Sequence, residues 1–141
     1  SAASDVYKRQ PLYWWKEYDT YKVGTVANST STMHKIHSKS FEMSDFSTDH
    51  MNEETIEFMG KNIEFLENLR VKYNDTKDKT LWYSIIQLLP ESYNQMRTCT
   101  FSYENAVAMY YSRKNHKLDE WHTFCDWVTE LPYFKELFIQ E

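Results

Sequence analysis

The sequence predicts a mainly helical, aromatic-rich domain. Its 141 residues hold only two Gly and three Pro, where ordinary usage is about 7% and 5%. Sandwiches and barrels of many short strands need far more turn formers. Five Trp, eleven Tyr and eight Phe supply the large apolar side chains a core requires, which sets aside disordered and collagen-like classes. Apolar residues also recur at three- and four-residue steps over several long stretches, the period of one helix face. An α+β arrangement stays open for the complete protein.

The elements follow in order. Residues 1–10, Ser1-Ala-Ala-Ser-Asp-Val-Tyr-Lys-Arg-Gln10, differ in texture from the rest and resemble translated sequencing-adapter read-through. They are expected to be a non-native extension outside the fold. Residues 11–141 are then expected to form a single mainly helical domain, truncated at its N-terminus. Pro11 suits the first turn of a helix, where its missing N–H costs nothing. Residues 12–21 read as a short aromatic helix that Gly24 breaks. Thr25 to Thr32 is rich in side chains that compete for backbone hydrogen bonds, so a loop or irregular strand is expected. The polar stretch holding Met33, Ile36 and Phe41 is given no element. Asn52 is a helix cap, with Glu53 and Glu54 in the positive first turn. Ile56, Met59, Ile63, Leu66, Leu69 and Tyr73 form the stripe of a helix that Asn74-Asp75 ends. A second helix, about 78–89, is stopped by Pro90. Ser92 to Thr100 is ambiguous. A helix over about 103–113 precedes the basic connector Arg113-Lys-Asn-His-Lys117. Asp119 and Glu120 open the next helix, which Pro132 ends, and Tyr133 to Ile139 is a terminal helix or tail.

The charge is −5 and the pI about 5.5, which disfavours broad nucleic-acid binding. The cysteines, Cys99 and Cys125, make neither a disulfide framework nor a CxxC pair and are expected as buried thiols of a reducing cytosol. No apolar run nears the roughly 18 residues of a membrane span. A cytoplasmic protein is expected.

Few motifs point to chemistry. His34-Lys-Ile-His37 has a two-ligand spacing, but no HExxH pattern and no nearby Cys accompany it, so no metal is expected. No GxSxG elbow supports a Ser/His/Asp triad. The isolated Gly24 and Gly60 exclude a Gly-rich phosphate loop. Arg97, Arg113, Lys114, His116 and Lys117 form the best cluster. They are able to complement the negative end of the preceding helix, or to receive a phosphate beside the helix start near Leu118. Tyr93, Tyr103, Tyr110 and Tyr111 are rings able to stack on a base or to fill a core.

Two resemblances add to this reading. Leu12-Tyr-Trp-Trp-Lys-Glu-Tyr-Asp-Thr-Tyr-Lys-Val-Gly24, Ser31-Thr-Met-His-Lys-Ile36, Leu88-Leu-Pro-Glu-Ser-Tyr-Asn-Gln95 and Ser112-Arg-Lys-Asn-His-Lys-Leu-Asp-Glu-Trp-His122 resemble a group of bacteriophage proteins of unassigned function from phages of Gram-positive hosts. That resemblance implies the cytoplasm of an infected bacterium. Leu89-Pro90, Thr100, Arg113 and Asp119-Glu120-Trp121, in that order, resemble flavin-dependent thymidylate synthases. Asn28 and Ser31 resemble positions in that family's flavin-binding loop. The resemblance implies the family's fold, FAD as cofactor, a nucleotide such as dUMP as ligand, methylation to dTMP, and a homo-oligomer with sites between subunits. It brings Asn28, Ser31, Arg97, Arg113 and His116 to a nucleotide or flavin site lined by Tyr93, Asn94 and Gln95, with Glu120 at the following helix start. The family's other charges fall on different residues here. Its Arg-His-Arg opening falls on Tyr21, Lys22 and Val23, and later Arg positions fall on Ile86 and Glu104. Those side chains would supply bidentate anion contacts.

Overall fold

The computed structural model describes residues 2–21, 25–29 and 35–139, with residues 2–8 and 25–29 described by their backbone alone. The element order is β1 (Ala2–Pro11), α1 (Leu12–Tyr18), β2 (Thr25–Ser29), a 3-10 turn (Met43–Asp45), α2 (Glu53–Thr76), α3 (Lys79–Leu88), β3 (Asn94–Ser102), α4 (Tyr103–Arg113), α5 (Asp119–Thr129) and α6 (Phe134–Phe138). The strands form one sheet in the order β1-β3-β2. The chain divides into two compact units. One comprises Ser1–Lys8, Trp14–Asn28 and Met96–Glu141; the other comprises Arg9–Tyr13 and Ser29–Gln95.

The first unit is built on rings. Trp14, Trp15 and Tyr18 of α1, Phe101 of β3, Trp121 and Phe124 of α5, and Phe134 of α6 are all buried. The Trp14 ring lies 4.8 Å from Trp15 and from Trp121, and 5.5 Å from Phe124. Such pairs add about 0.5–1.5 kcal/mol each beyond their buried area. Burial, and then the neighbouring Cys99, push the Tyr18 hydroxyl well above its ordinary ionisation range. Burial also pushes the Cys125 thiol up to about 11, which makes it a poor nucleophile, and both cysteines are free and buried. Strand β3 passes into α4 without a loop. Ser102 is the reason: its hydroxyl accepts from the Asn105 N–H at 3.2 Å, and the Asn105 side chain accepts from the Ser102 N–H at 3.3 Å. This reciprocal cap satisfies helix-start donors at the last residue of the strand.

The second unit is a helical hairpin with a covering segment. Asn52 caps α2 by accepting from the Thr55 N–H at 2.9 Å. Lys77, at φ 56°, ends that helix in the left-handed region, and Asp78 caps α3 through the Thr80 N–H at 2.9 Å. Met59, Ile63 and Leu66 of α2 pack with Ile85 of α3, and Ile36, Phe41 and Phe46 complete that core. The covering segment is tied down by charge. The Glu67 carboxylate accepts from the Phe41 N–H at 3.0 Å and from Arg70 Nε at 2.9 Å.

Arg70, against burial and helped by the Phe41 N–H, holds the Glu67 carboxyl below its usual range. A depressed carboxyl contributes stability that is complete above its unfolded pKa and is lost as pH falls through the folded one. Glu67→Gln is therefore expected to cost about 1–3 kcal/mol at pH 7, and less at pH 3. Urea-unfolding curves of both proteins at the two pH values check this; an equal gap at both would refute it.

The structure departs from the sequence expectations in four places. Residues 2–10, expected as an extension outside the fold, and Pro11, expected to open the first helix, form β1. The ambiguous Ser92–Thr100 stretch belongs mostly to β3. Helix α1 stops at Tyr18, where the chain tightens through Thr20 N–H to Glu17 C=O and Tyr21 N–H to Tyr18 C=O. Helix α2 runs past Asn74-Asp75 to Thr76, and the left-handed Lys77 is its true stop.

Candidate functional site

The first unit carries a polar cluster on α1, α4, α5 and the connector between the last two. Helix α4 ends at Arg113, so the guanidinium leaves the helix at its negative end. The connector turns at once, with the His116 N–H bonded to the Arg113 carbonyl at 2.9 Å. Both side chains meet Glu17 of α1. Glu17 Oε2 accepts from Trp121 Nε1 at 2.6 Å and from Arg113 Nη1 at 3.4 Å, and lies 3.5 Å from His116 Nε2. Two donors thus meet one carboxylate oxygen, and the His116 ring nitrogen lies at ion-pair distance from it. The Arg113 side chain is 19% exposed and Glu17 34%, so the pair is only partly screened by water.

The cluster is held rigidly. Arg113 Nε donates to the Tyr21 hydroxyl at 2.8 Å, and that hydroxyl pairs with Ser112 Oγ at 2.8 Å. The guanidinium lies over the Trp121 ring at 4.7 Å and the Tyr21 ring at 5.4 Å. His116 Nδ1 accepts from the Leu118 N–H at 3.1 Å. That bond leaves the ring proton on Nε2, facing Glu17. A second ion pair uses the residue two beyond Glu17: Arg97 Nη1 meets Asp19 Oδ1 at 2.7 Å, and the Arg97 guanidinium lies over the Trp15 ring at 4.6 Å.

Of the sequence candidates, Arg113 and His116 come together on Glu17. Arg97 belongs to the same unit but has its own carboxylate. Glu120 sits in the first turn of α5, facing that helix's positive end. Asn28 lies in β2, described by its backbone; Ser31 and His34 lie outside the described residues. Tyr93, Asn94 and Gln95 belong to the other unit. There Tyr93 packs on Phe46 at 5.6 Å, with its pKa raised by burial, and Asn94 Oδ1 accepts from Ser47 Oγ at 2.7 Å. Tyr103 and Tyr110 pack against Phe134, and the Tyr103 and Tyr111 hydroxyls donate to the Pro132 and Phe138 carbonyls. These three rings fasten α6. Among the described residues no group of three or more His, Cys, Asp or Glu is placed to hold a metal, and no helix is long and apolar enough to cross a membrane.

Glu17, Asp19, Tyr21 and Trp121 were not singled out by the sequence as site residues. Their signal is indirect: a half-buried guanidinium demands a counter-charge, and nothing local supplies one to Arg113 or Arg97.

No protein-family model matches the chain, and no curated protein matches it. Solved structures do. One is flavin-dependent thymidylate synthase ThyX from Helicobacter pylori complexed with FAD and dUMP. Its TM-score is 0.67 at 17% identity, covering 97% of this chain and 71% of that one. A second structure of the Helicobacter pylori enzyme with FAD and dUMP gives 0.67 at 18% identity over the same shares. The likeness is one of fold. The chain is mostly helical with a small sheet, and its architecture is ThyX-like.

The donor set has the size of a single anion. Arg113, His116 and the Trp121 indole N–H fit one phosphate or carboxylate oxygen. Arg97, the other described guanidinium of this unit, is held by Asp19. The described residues of this unit do not by themselves fit the diphosphate of FAD.

Proposed function

We propose that this chain is a phage protein with a ThyX-like fold that binds a nucleotide through one phosphate at Arg113, His116 and Trp121. The convergence of the Trp121 and Arg113 donors on Glu17 Oε2, with the His116 ring beside it, carries the reading. It is a preformed anion site in which a carboxylate stands where a ligand oxygen would sit. The similar structures, which hold dUMP and FAD, supply the ligand class, and dUMP is the nucleotide to test. In this reading Arg113 and His116 bind the phosphate, and the Trp121 and Tyr21 faces hold the planar guanidinium in its orientation. FAD and a homo-oligomeric assembly belong to the wider form of the proposal, in which residues beyond the described set complete the cofactor site.

The test is a calorimetric titration of the purified protein with dUMP, together with its absorption spectrum for bound flavin. A saturable dUMP isotherm that weakens about tenfold to a hundredfold in Arg113→Ala is expected. No heat with dUMP and no flavin absorption would overturn the proposal.

A second reading is a non-catalytic interaction protein that binds a host factor or sequesters a nucleotide. One observation favours it: both guanidiniums of the unit already carry carboxylates. Formation of dTMP by the protein supplied with FAD, NADPH and methylenetetrahydrofolate would decide against it.

A further inference from the structure

The helical hairpin of the second unit holds a cleft unrelated to the Glu17 cluster. It has a volume of about 370 Å³ and is lined by His37, Tyr73, Lys77, Lys79 and Trp82. Ligand pockets begin at roughly 300 Å³, so a one-ring or two-ring molecule fits. The chemistry of the lining is specific. Tyr73 and Trp82 give aromatic walls. Lys77 and Lys79 bring two ammonium groups, whose neighbours are ring faces: Lys77 Nζ lies 5.4 Å from the Tyr73 ring centre and Lys79 Nζ 5.6 Å from that of Tyr83. Neither ammonium has a carboxylate partner among the described residues. The obvious one, Asp78, spends its side chain on the Thr80 N–H as the cap of α3.

His37 adds a second, independent observation. Its ring stands edge-on to Tyr73 at 5.1 Å, and its Nδ1 is buried without a hydrogen-bond partner. A buried polar atom left unpaired is costly, and native structures rarely keep one without a reason. The His37 carbonyl is taken by Asn74 Nδ2 at 3.2 Å, which anchors the residue while its ring faces the cleft lining. The left-handed backbone of Lys77, φ 56°, is what brings a lysine to this turn rather than continuing the helix.

We propose that the cleft binds a small planar aromatic anion. The ring lies between Tyr73 and Trp82, and the acid group meets Lys77 and Lys79 beside the His37 ring. A bare inorganic anion would leave the aromatic walls unused, and a neutral ring would make no use of the two ammonium groups at the cleft mouth. An aryl phosphate and an aryl carboxylate share the required chemistry.

Phenyl phosphate and benzoate are titrated into the full chain, with inorganic phosphate and benzyl alcohol as the acid-only and ring-only probes. Amide and indole resonances of residues 73–82 are followed by heteronuclear NMR, the Trp82 indole being assigned with Trp82→Phe. Saturable shifts confined to this turn are expected for at least one aromatic acid, with the two partial probes about tenfold weaker or worse. Lys77→Gln/Lys79→Gln is expected to weaken binding about tenfold. Lys79→Gln alone serves if the double variant does not fold. Arg113→Ala, outside this unit, leaves the affinity unchanged, so failure of the nucleotide proposal and failure of this one are distinguishable. Absence of saturation with both acids, or equal affinity in the lysine variants, would overturn the inference.

Discussion

Replacing Trp121 by alanine is expected to cost about 3–5 kcal/mol of unfolding free energy, the range for truncating a buried large aromatic. Trp121 is fully buried and sits where the core of the first unit meets its polar cluster. On the core side its ring lies 4.8 Å from Trp14 and 5.5 Å from Phe124. On the polar side it carries the Arg113 guanidinium and donates from Nε1 to Glu17. Alanine removes both, opening a cavity and leaving Glu17 short of its shortest donor. Trp121→Phe separates the two contributions. It keeps most of the ring contact and loses the N–H, so a smaller loss of about 1–3 kcal/mol is expected. Urea unfolding of the three proteins measures both steps. A loss below about 1 kcal/mol for the alanine variant would mean that the ring cluster is not packed as described.

The helices were legible because their signals are local. Asn52 followed by Glu53 and Glu54 places the start of α2 by capping and dipole alone, and Asn52 is the observed cap. Helix α4 spans the stretch that its apolar spacing marks, Tyr103 to Arg113. Two of the three strands were not legible, because strand stability comes from partners; β2, at Thr25–Ser29, falls where a loop or irregular strand was expected. Residues 2–11 and 94–102 become β1 and β3 by pairing with each other across some ninety positions, and no window of either contains that information. Even the sharp passage from β3 to α4 depends on one Ser102–Asn105 exchange within a polar run that also suits a loop.

The candidate site divides along the same line. Arg113 and His116 stand out as a helix-end cation and a connector histidine. Glu17 does not, since its contact with Trp121 spans 104 residues and that with Arg113 spans 96. The sequence shows the cations and hides their neutralisation. Tyr93 and Asn94, which the resemblance assigns to that site, make packing and hydrogen-bond contacts within the second unit. What the sequence missed is therefore charge balance, which decides whether a basic cluster is open to a ligand.

That balance gives the second large effect, on binding. If a nucleotide phosphate takes the place of Glu17 on Arg113, the two anions compete, and the measured affinity is the difference between them. Arg113→Ala removes the one permanent charge among Arg113, His116 and Trp121, and with it a charge-assisted contact of about 1.5–3 kcal/mol. Affinity for dUMP is expected to fall about tenfold to a hundredfold. Glu17→Gln acts in the opposite direction. The amide keeps the size of the side chain and its acceptor toward Trp121, but it holds Arg113 less tightly and does not repel an incoming phosphate. Affinity is expected to rise about tenfold, with a steeper loss of binding as salt is raised, because the freed guanidinium interacts with the phosphate over a screened path. The same variant is expected to lower stability, since a half-buried cation loses its counter-charge. Opposite signs in stability and affinity are the signature of a carboxylate standing in for a ligand. A purely structural pair would give a stability loss in both variants with no change in the dUMP isotherm, and calorimetry beside urea unfolding separates the two.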